Sequence, residues 1–186
     1  MRYRKLSAAL CLLAACWTGA VQDARAQQIP AAVIAVLDSQ MVMRDSSAAK
    51  DIRRQIENYR KAYQADIAGE EQALRQEERD LKGQRAILSP EAFEERRLAF
   101  ERRVIDVQRR VQDRMRQLDR SFERAMKDVR DALIPIVADL TTKMGVNVVV
   151  DKSQIMFATK ALDITPQVIQ RLDQKLPSVE VPQPAN

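Results

Sequence analysis

The chain has no histidine, and its two cysteines, Cys11 and Cys16, both lie close to the N-terminus. Those two facts bound the chemistry available. Histidine is the commonest general base and a leading zinc ligand, and the usual nucleophile–base arrangements of covalent catalysis need His or Cys in the folded domain. None of the four glycines sits in a Gly-rich turn after a strand, so the loop that cradles phosphates is missing. Asp38 and Asp151 each follow a candidate strand and could be imagined as an acid–base pair. The same positions suit the capping of turns and helix starts, which is the reading adopted. Glu70, Glu71, Glu77 and Glu78 lie on one predicted helix without the convergence that a cation site requires. No metal, no cofactor and no catalysis are expected.

The remaining chemistry is charge and apolar surface. Of 186 residues, 31 are Lys or Arg and 26 are Asp or Glu, for a net charge of +5. The segment from Arg44 to Lys82 is balanced, whereas Arg96 to Arg130 holds twice as many basic as acidic residues. The excess comes as the adjacent pairs Arg96–Arg97, Arg102–Arg103 and Arg109–Arg110. Such a stripe is either a solvated face neutralised by a neighbouring helix or a surface that attracts anionic clients or lipid head groups. No aromatic residues interleave with it as a nucleic-acid stacking platform would need, and no nucleic-acid partner is expected. Leu81, Ile87, Leu88, Phe93 and Phe100 gather around one predicted turn. They either staple that turn or present apolar contacts to another chain.

The positions of these groups depend on the elements that carry them. Arg2, Arg4 and Lys5, the apolar run Leu6–Trp17 and the Ala24-Arg25-Ala26 cleavage pattern read as a secretory signal over residues 1–26, cut between Ala26 and Gln27. The apolar run, at about 12 residues, is too short to span a bilayer. Leu13-Ala14-Ala15-Cys16 resembles a lipobox, which keeps open a lipid anchor on Cys16. Removal of residues 1–26 leaves 27 basic and 25 acidic residues, a charge of +2, and no cysteine. An exported chain without disulfides must hold itself by packing.

Ala32–Leu37 reads as a buried strand and Ser39–Met43 as a helical turn. A long helix follows, from about Ser47 to Lys82, capped by Asp45 or Ser46 and stopped at Gly83. Ser89-Pro90-Glu91 starts a second helix, which runs to Gly145. Its apolar residues, from Phe100 and Val104 through Val111, Phe122 and Leu133 to Met144, repeat every 11 residues, the rhythm of a straight or slightly right-handed pair. Ile52, Ile56, Tyr59, Tyr63, Ile67, Leu74 and Leu81 keep that rhythm on the first helix, but Glu70, Glu78 and Arg85 interrupt the stripe. The pair should therefore pack firmly at its base and loosely at its tip. Pro135 should kink the second helix, because its ring displaces the bond to the carbonyl of Asp131. Val146–Asp151 is the strongest strand signal, Gln154–Ala158 is expected as a third strand through a short hairpin, and Thr165-Pro166 should cap and open a closing helix.

The resulting fold is α+β and mostly α. A small β-containing body (27–46 and 136–176) carries an antiparallel helical-hairpin arm (47–135) of roughly 50–70 Å, with a disordered tail over 177–186. Three short strands and a helix are a poor core for one chain. Val33, Ile34, Val36, Val148, Val149 and Val150 are thus expected to form a body shared by several subunits. Such a chain could also serve as a structural coiled-coil tether of the envelope, lipid-anchored at Cys16.

Taken together, Val33–Leu37, the Ser-Ser-Ala-Ala-Lys helix start, the charged hairpin, Val148-Val149-Val150-Asp151 and Asp163-Ile164-Thr165 resemble the Skp (OmpH-like) family of periplasmic chaperones. The resemblance covers about residues 32–176. It implies a homotrimer whose arms surround a cavity, and ATP-independent binding of unfolded outer-membrane β-barrel proteins before insertion. In that picture the tip residues and the Arg pairs named above contact clients, and anionic lipid or lipopolysaccharide is a further partner. Pro135 and a mature charge of only +2 depart from strongly basic members, and no lipopolysaccharide site can be matched residue by residue.

Intact mass of the exported protein should correspond to a chain starting at Gln27 without lipid. A lipid-bearing chain starting at Cys16 would overturn the cleavage assignment.

Overall fold

In the computed structural model, residues 30–183 are described. The signal and its cleavage site at Ala26–Gln27, and Cys16, lie outside them.

Strand β1 (Ile34–Leu37) pairs with β2 (Val148–Asp151) in parallel, with Ile34 opposite Val148 and Leu37 opposite Asp151. Parallel neighbours need a long crossover, and here the crossover is the whole helical hairpin. After β1, a short helix α1 (Ser39–Asp45) turns the chain, and the Asp38 carboxylate caps it by accepting the Met41 amide at 2.7 Å. Helix α2 (Ser47–Gln84) then runs out and α3 (Pro90–Met144) runs back. At 38 residues, α2 is roughly 57 Å long at the standard rise. The start of α3 is as expected: Ser89 accepts the Ala92 amide and Pro90 occupies the first turn. Its end is as well. Gly145 takes φ 65°, and the Val146 amide bonds back to the Thr141 carbonyl at 2.9 Å. Only a residue without Cβ takes that left-handed turn cheaply, and the turn redirects the chain into β2. Asn147 secures the reversal by accepting the Val33 amide through its side chain.

Several local expectations are overturned. Gln154–Ala158 is not a strand. The Asp151 carboxylate captures the Ser153 amide at 2.9 Å and its hydroxyl at 2.6 Å, which coils the chain into a 3₁₀ turn (Lys152–Gln154). The other flank of β1 is instead touched by a single bridge from Val36 to Asp163, with the Ile164 amide donating to Val36. Helix α2 passes through Gly83 and ends one residue later. Neither Asp45 nor Ser46 caps its start by side chain. Asp45 pairs with Arg44, and the cap comes from α4 (Thr165–Lys175), where Asp173 accepts the Ser47 amide at 2.7 Å. Thr165 does not cap α4 either. Its hydroxyl accepts the Asp38 amide at 2.9 Å, which ties α4 to the end of β1. Pro135 does lie inside α3, as expected.

The core lies at the base. Ile52, Ile56 and Tyr63 of α2 and Leu118, Val129, Leu133 and Leu140 of α3 join Val42, Ala35 and Leu37, and the bundle is closed by Val168 and Leu172 of α4. Beyond Tyr63 no residue of α2 is buried, and on the tip side of Leu118 only Val107 of α3 is. The packing gradient follows the interrupted stripe. The buried positions of α3 also include the small Ser121 and Ala125, which the apolar periodicity passed over. The tail is also different from expectation. Val179 and Val181 are buried in the same core cluster, so the chain is ordered past Pro177.

Leu172→Ala removes a fully buried side chain and should lower stability by about 2–5 kcal/mol. Ser46 is fully buried with a hydroxyl that has no hydrogen-bond partner among the described residues. Ser46→Ala should therefore leave stability unchanged or raise it. Urea unfolding at fixed protein concentration checks both.

Candidate functional site

Two regions carry the surface features that the fold itself does not use: the arm and the exposed side of the small sheet. Along the arm the apolar seam opens into grooves. Midway, Ile67 and Leu74 of α2 face Val104, Val107 and Val111 of α3 across a groove of about 400 Å³. Nearer the tip, Leu81, Phe93 and Phe100 line a second of about 350 Å³, bordered by Arg85 and Arg97. Leu81, Leu88, Phe93 and Phe100 are each half-buried, whereas Ile87 is 81% exposed at the turn. The tip residues thus staple the hairpin and also line its clefts.

The Arg pairs separate into two kinds. Arg103 reaches Glu77 at 3.1 Å, Arg110 reaches Glu70 at 3.1 Å and Arg114 reaches Asp66 at 3.4 Å, all across from α3 to α2. Arg96 bonds Gln84 in the same way at 2.6 Å. In all four contacts the two residue numbers add to one constant, so a single antiparallel register runs along the outer arm. Arg114 also lies over the Tyr63 ring, 5.2 Å from its centre. Burial pushes the Tyr63 hydroxyl up in pKa, opposed by that guanidinium. Arg97 stays on its own helix, bound to Glu94 and Glu101, which raise its pKa. Arg102 and Arg109 have no ion pair among the described residues and stand exposed. Exposed pairs contribute roughly 0–1 kcal/mol each, so the ladder aligns the helices more than it strengthens them. Of the two alternatives for the basic stripe, the face neutralised by the neighbouring helix thus holds for Arg103 and Arg110. The constant sum was readable in the sequence once the turn between the helices was placed.

At the base, β1 and β2 make a two-stranded sheet, which alone is marginal. Val33, Ile34, Val148 and Val149 are exposed large apolar residues, while Val36 is buried and Val150 half-buried. Sequence reading missed three further exposed apolar residues. Met156 is fully exposed, Phe157 is 82% exposed, and Ile134 projects from α3. Met156 and Phe157 fall in the expected third strand, Gln154–Ala158, and their exposure follows from its absence. The loop that carries them covers a cavity of about 340 Å³ beside Val36 and Asp163.

Asp38 follows β1 and Asp151 ends β2, but both carboxylates are engaged in turns and caps. Asp151 accepts the Ser153 and Ser39 hydroxyls and both backbone amides, and these donors hold its carboxyl well below the usual range. Asp38 caps α1 and faces Lys152 at 3.7 Å. Among the described residues no group of His, Cys, Asp and Glu could hold a metal ion. No described helix is long and apolar enough to cross a membrane.

A parallel strand pair bridged by a long helical hairpin, with half-open grooves and an exposed apolar sheet, defines an arm-and-body binding protein. Residues 33–172 match the family described as outer membrane protein (OmpH-like), and the chain belongs to that family. The fold is similar to the crystal structure of a candidate outer membrane chaperone (OmpH-like) from Caulobacter crescentus CB15. The TM-score is 0.77 at 20% identity, over 82% of this chain and 90% of that one. No curated protein sequence matches the chain.

Because Asp151 has a lowered folded-state pKa, its contribution to stability is present above the unfolded value of about 3.9 and is lost as pH falls. Asp151→Asn should flatten the acid limb of stability below about pH 4 while lowering stability at neutral pH. Urea midpoints across that pH range check both effects.

Proposed function

We propose that this chain is an ATP-independent periplasmic holdase. It would bind unfolded outer-membrane β-barrel proteins between helical arms and keep them from aggregating before insertion. The observation that carries this reading is the arm itself, which is firmly packed at the base and opens outward into grooves lined by half-buried Ile, Leu, Val and Phe. Such a surface offers many weak contacts to an unfolded chain, with no single deep pocket to select one ligand. Arg102 and Arg109 add free positive charge for acidic clients or anionic lipid, including lipopolysaccharide, and client affinity would fall with salt. Family membership supports the chaperone role, as does the description of the Caulobacter crescentus relative.

The proposed assembly is a homotrimer. A two-stranded sheet that exposes Val33, Ile34, Val148 and Val149 leaves apolar surface and unpaired strand edge that other copies would cover. Residues 27–46 and 136–176 would form this shared body and 47–135 the arm. Export would follow from the signal over residues 1–26.

At one trimer per client, the purified mature protein should suppress light scattering by a diluted, urea-unfolded β-barrel protein. Unchanged scattering would refute the holdase reading. Val149→Asp should yield a monomer by multi-angle light scattering. Phe100→Ala should keep the trimer and weaken client retention, and the reverse pattern would overturn the assignment of body and arm.

A further inference from the structure

After α4 the chain does not leave the protein. It lies along the base of α2 as an extended segment, with Val179 and Val181 buried and Ser178, Glu180 and Pro182 exposed. This is the inside–outside alternation of a strand, although no described strand neighbours it. What holds its main chain is a pair of side chains on α2. The Gln55 amide donates Nε2–H to the Val179 carbonyl at 2.8 Å and accepts the Val181 amide on Oε1 at 3.0 Å. One residue of a parallel strand pairs with its neighbour in the same way, bonding the carbonyl and the amide on either side of the residue opposite. The Asp51 carboxylate accepts the second Nε2–H at 2.8 Å, which fixes the amide in the required orientation. One turn further along α2, the Tyr59 hydroxyl donates to the Val181 carbonyl at 3.2 Å.

These three bonds read only the main chain. Specificity comes from burial of every second side chain, Val179 and Val181, in the cluster that contains Ile52, Ile56 and Leu172. The cleft therefore selects an extended peptide with apolar residues at alternate positions. That is also the pattern of a transmembrane β-strand before it folds, with a lipid-facing residue at every second position. The tail is suited to exchange. It follows α4, and its removal breaks no described helix or strand.

We infer that Gln55 and Tyr59 form a strand-binding cleft at the base of the arm. The chain's own Val179–Val181 occupies it as a resident strand, and an extended client segment of alternating apolar residues displaces that strand. The inference rests on the client class proposed above and adds a defined recognition site to it.

The test uses a fluorescein-labelled ten-residue peptide with Val at alternate positions and polar residues between, and a scrambled peptide with the Val residues adjacent. A chain truncated after Leu176 should bind the alternating peptide at least tenfold more tightly than the full chain, and Gln55→Ala in the truncated chain should abolish the gain. Equal binding by full and truncated chains, or equal binding of the two peptides, overturns the cleft. A second measurement keeps the native chain intact. In the full-length protein the Val181 amide should be protected from hydrogen exchange, and saturating alternating peptide should release that protection. Undiminished protection at saturation overturns displacement. Suppression of aggregation by the full chain is scored separately. Suppression without peptide exchange removes only the cleft, whereas peptide exchange without suppression removes only the holdase reading.

Discussion

The structure depends on a contact made between residues far apart in the chain. β1 must meet β2, and the Val33–Asn147 bond that begins their pairing joins positions 114 residues apart. Closing so long a loop as flexible chain would be entropically costly before any contact was gained. The helical hairpin reduces that cost, because α2 and α3 zip locally and deliver the chain back to its starting point. Gly145 then turns it through a left-handed residue, so that β2 arrives parallel to β1. Helix α4 locks the meeting point through Thr165 to Asp38, Asp173 to Ser47 and Arg171 to Asp139.

A gradient of packing follows from this arrangement. At the base, four elements converge and bury Ile52, Leu118, Val129 and Leu172 almost completely. Further out there are only two helices, and two helices can bury only the facing stripe. Where Glu70 and Glu78 replace apolar residues on that stripe, nothing compensates, so the seam opens into grooves. The Arg103–Glu77, Arg110–Glu70 and Arg114–Asp66 pairs maintain register there without closing the seam. Rigidity at the base and openness along the arm are thus two consequences of one sequence pattern.

Local signals with a single physical meaning were legible. Ser89-Pro90 marks a helix start because the cap oxygen and the missing N–H both serve the first turn, and Gly145 marks a stop because it alone tolerates the turn that follows. The apolar periodicity of α3 identified the packed face and, through its interruptions on α2, the loose tip. Less was legible where a polar group had more than one possible partner. Asp151 turned the chain by binding Ser153 instead of letting it run on as a hairpin. Thr165 spent its hydroxyl on Asp38 rather than on its own helix, and Ser46 lost its capping role to Asp173. Of the site residues, the tip cluster apart from Ile87 is half-buried, as the interrupted stripe predicts, and the Arg pairs divide between the two alternatives: Arg103 and Arg110 are neutralised by acids of α2, whereas Arg102 and Arg109 have no ion pair among the described residues.

By itself, the sequence determined the absence of histidine and of cysteine beyond the N-terminal segment, the two long helices, and the valine-rich strands that needed partners. These follow from composition, from periodicity and from residues whose preferences act within one turn of chain. Only the tertiary structure decided that the strands are parallel, that Gln154–Ala158 joins no strand among the described residues, and that Val179 and Val181 belong to the core. A strand, a cap or a buried tail requires a second surface, and that surface is supplied by residues distant in sequence whose proximity no local preference encodes.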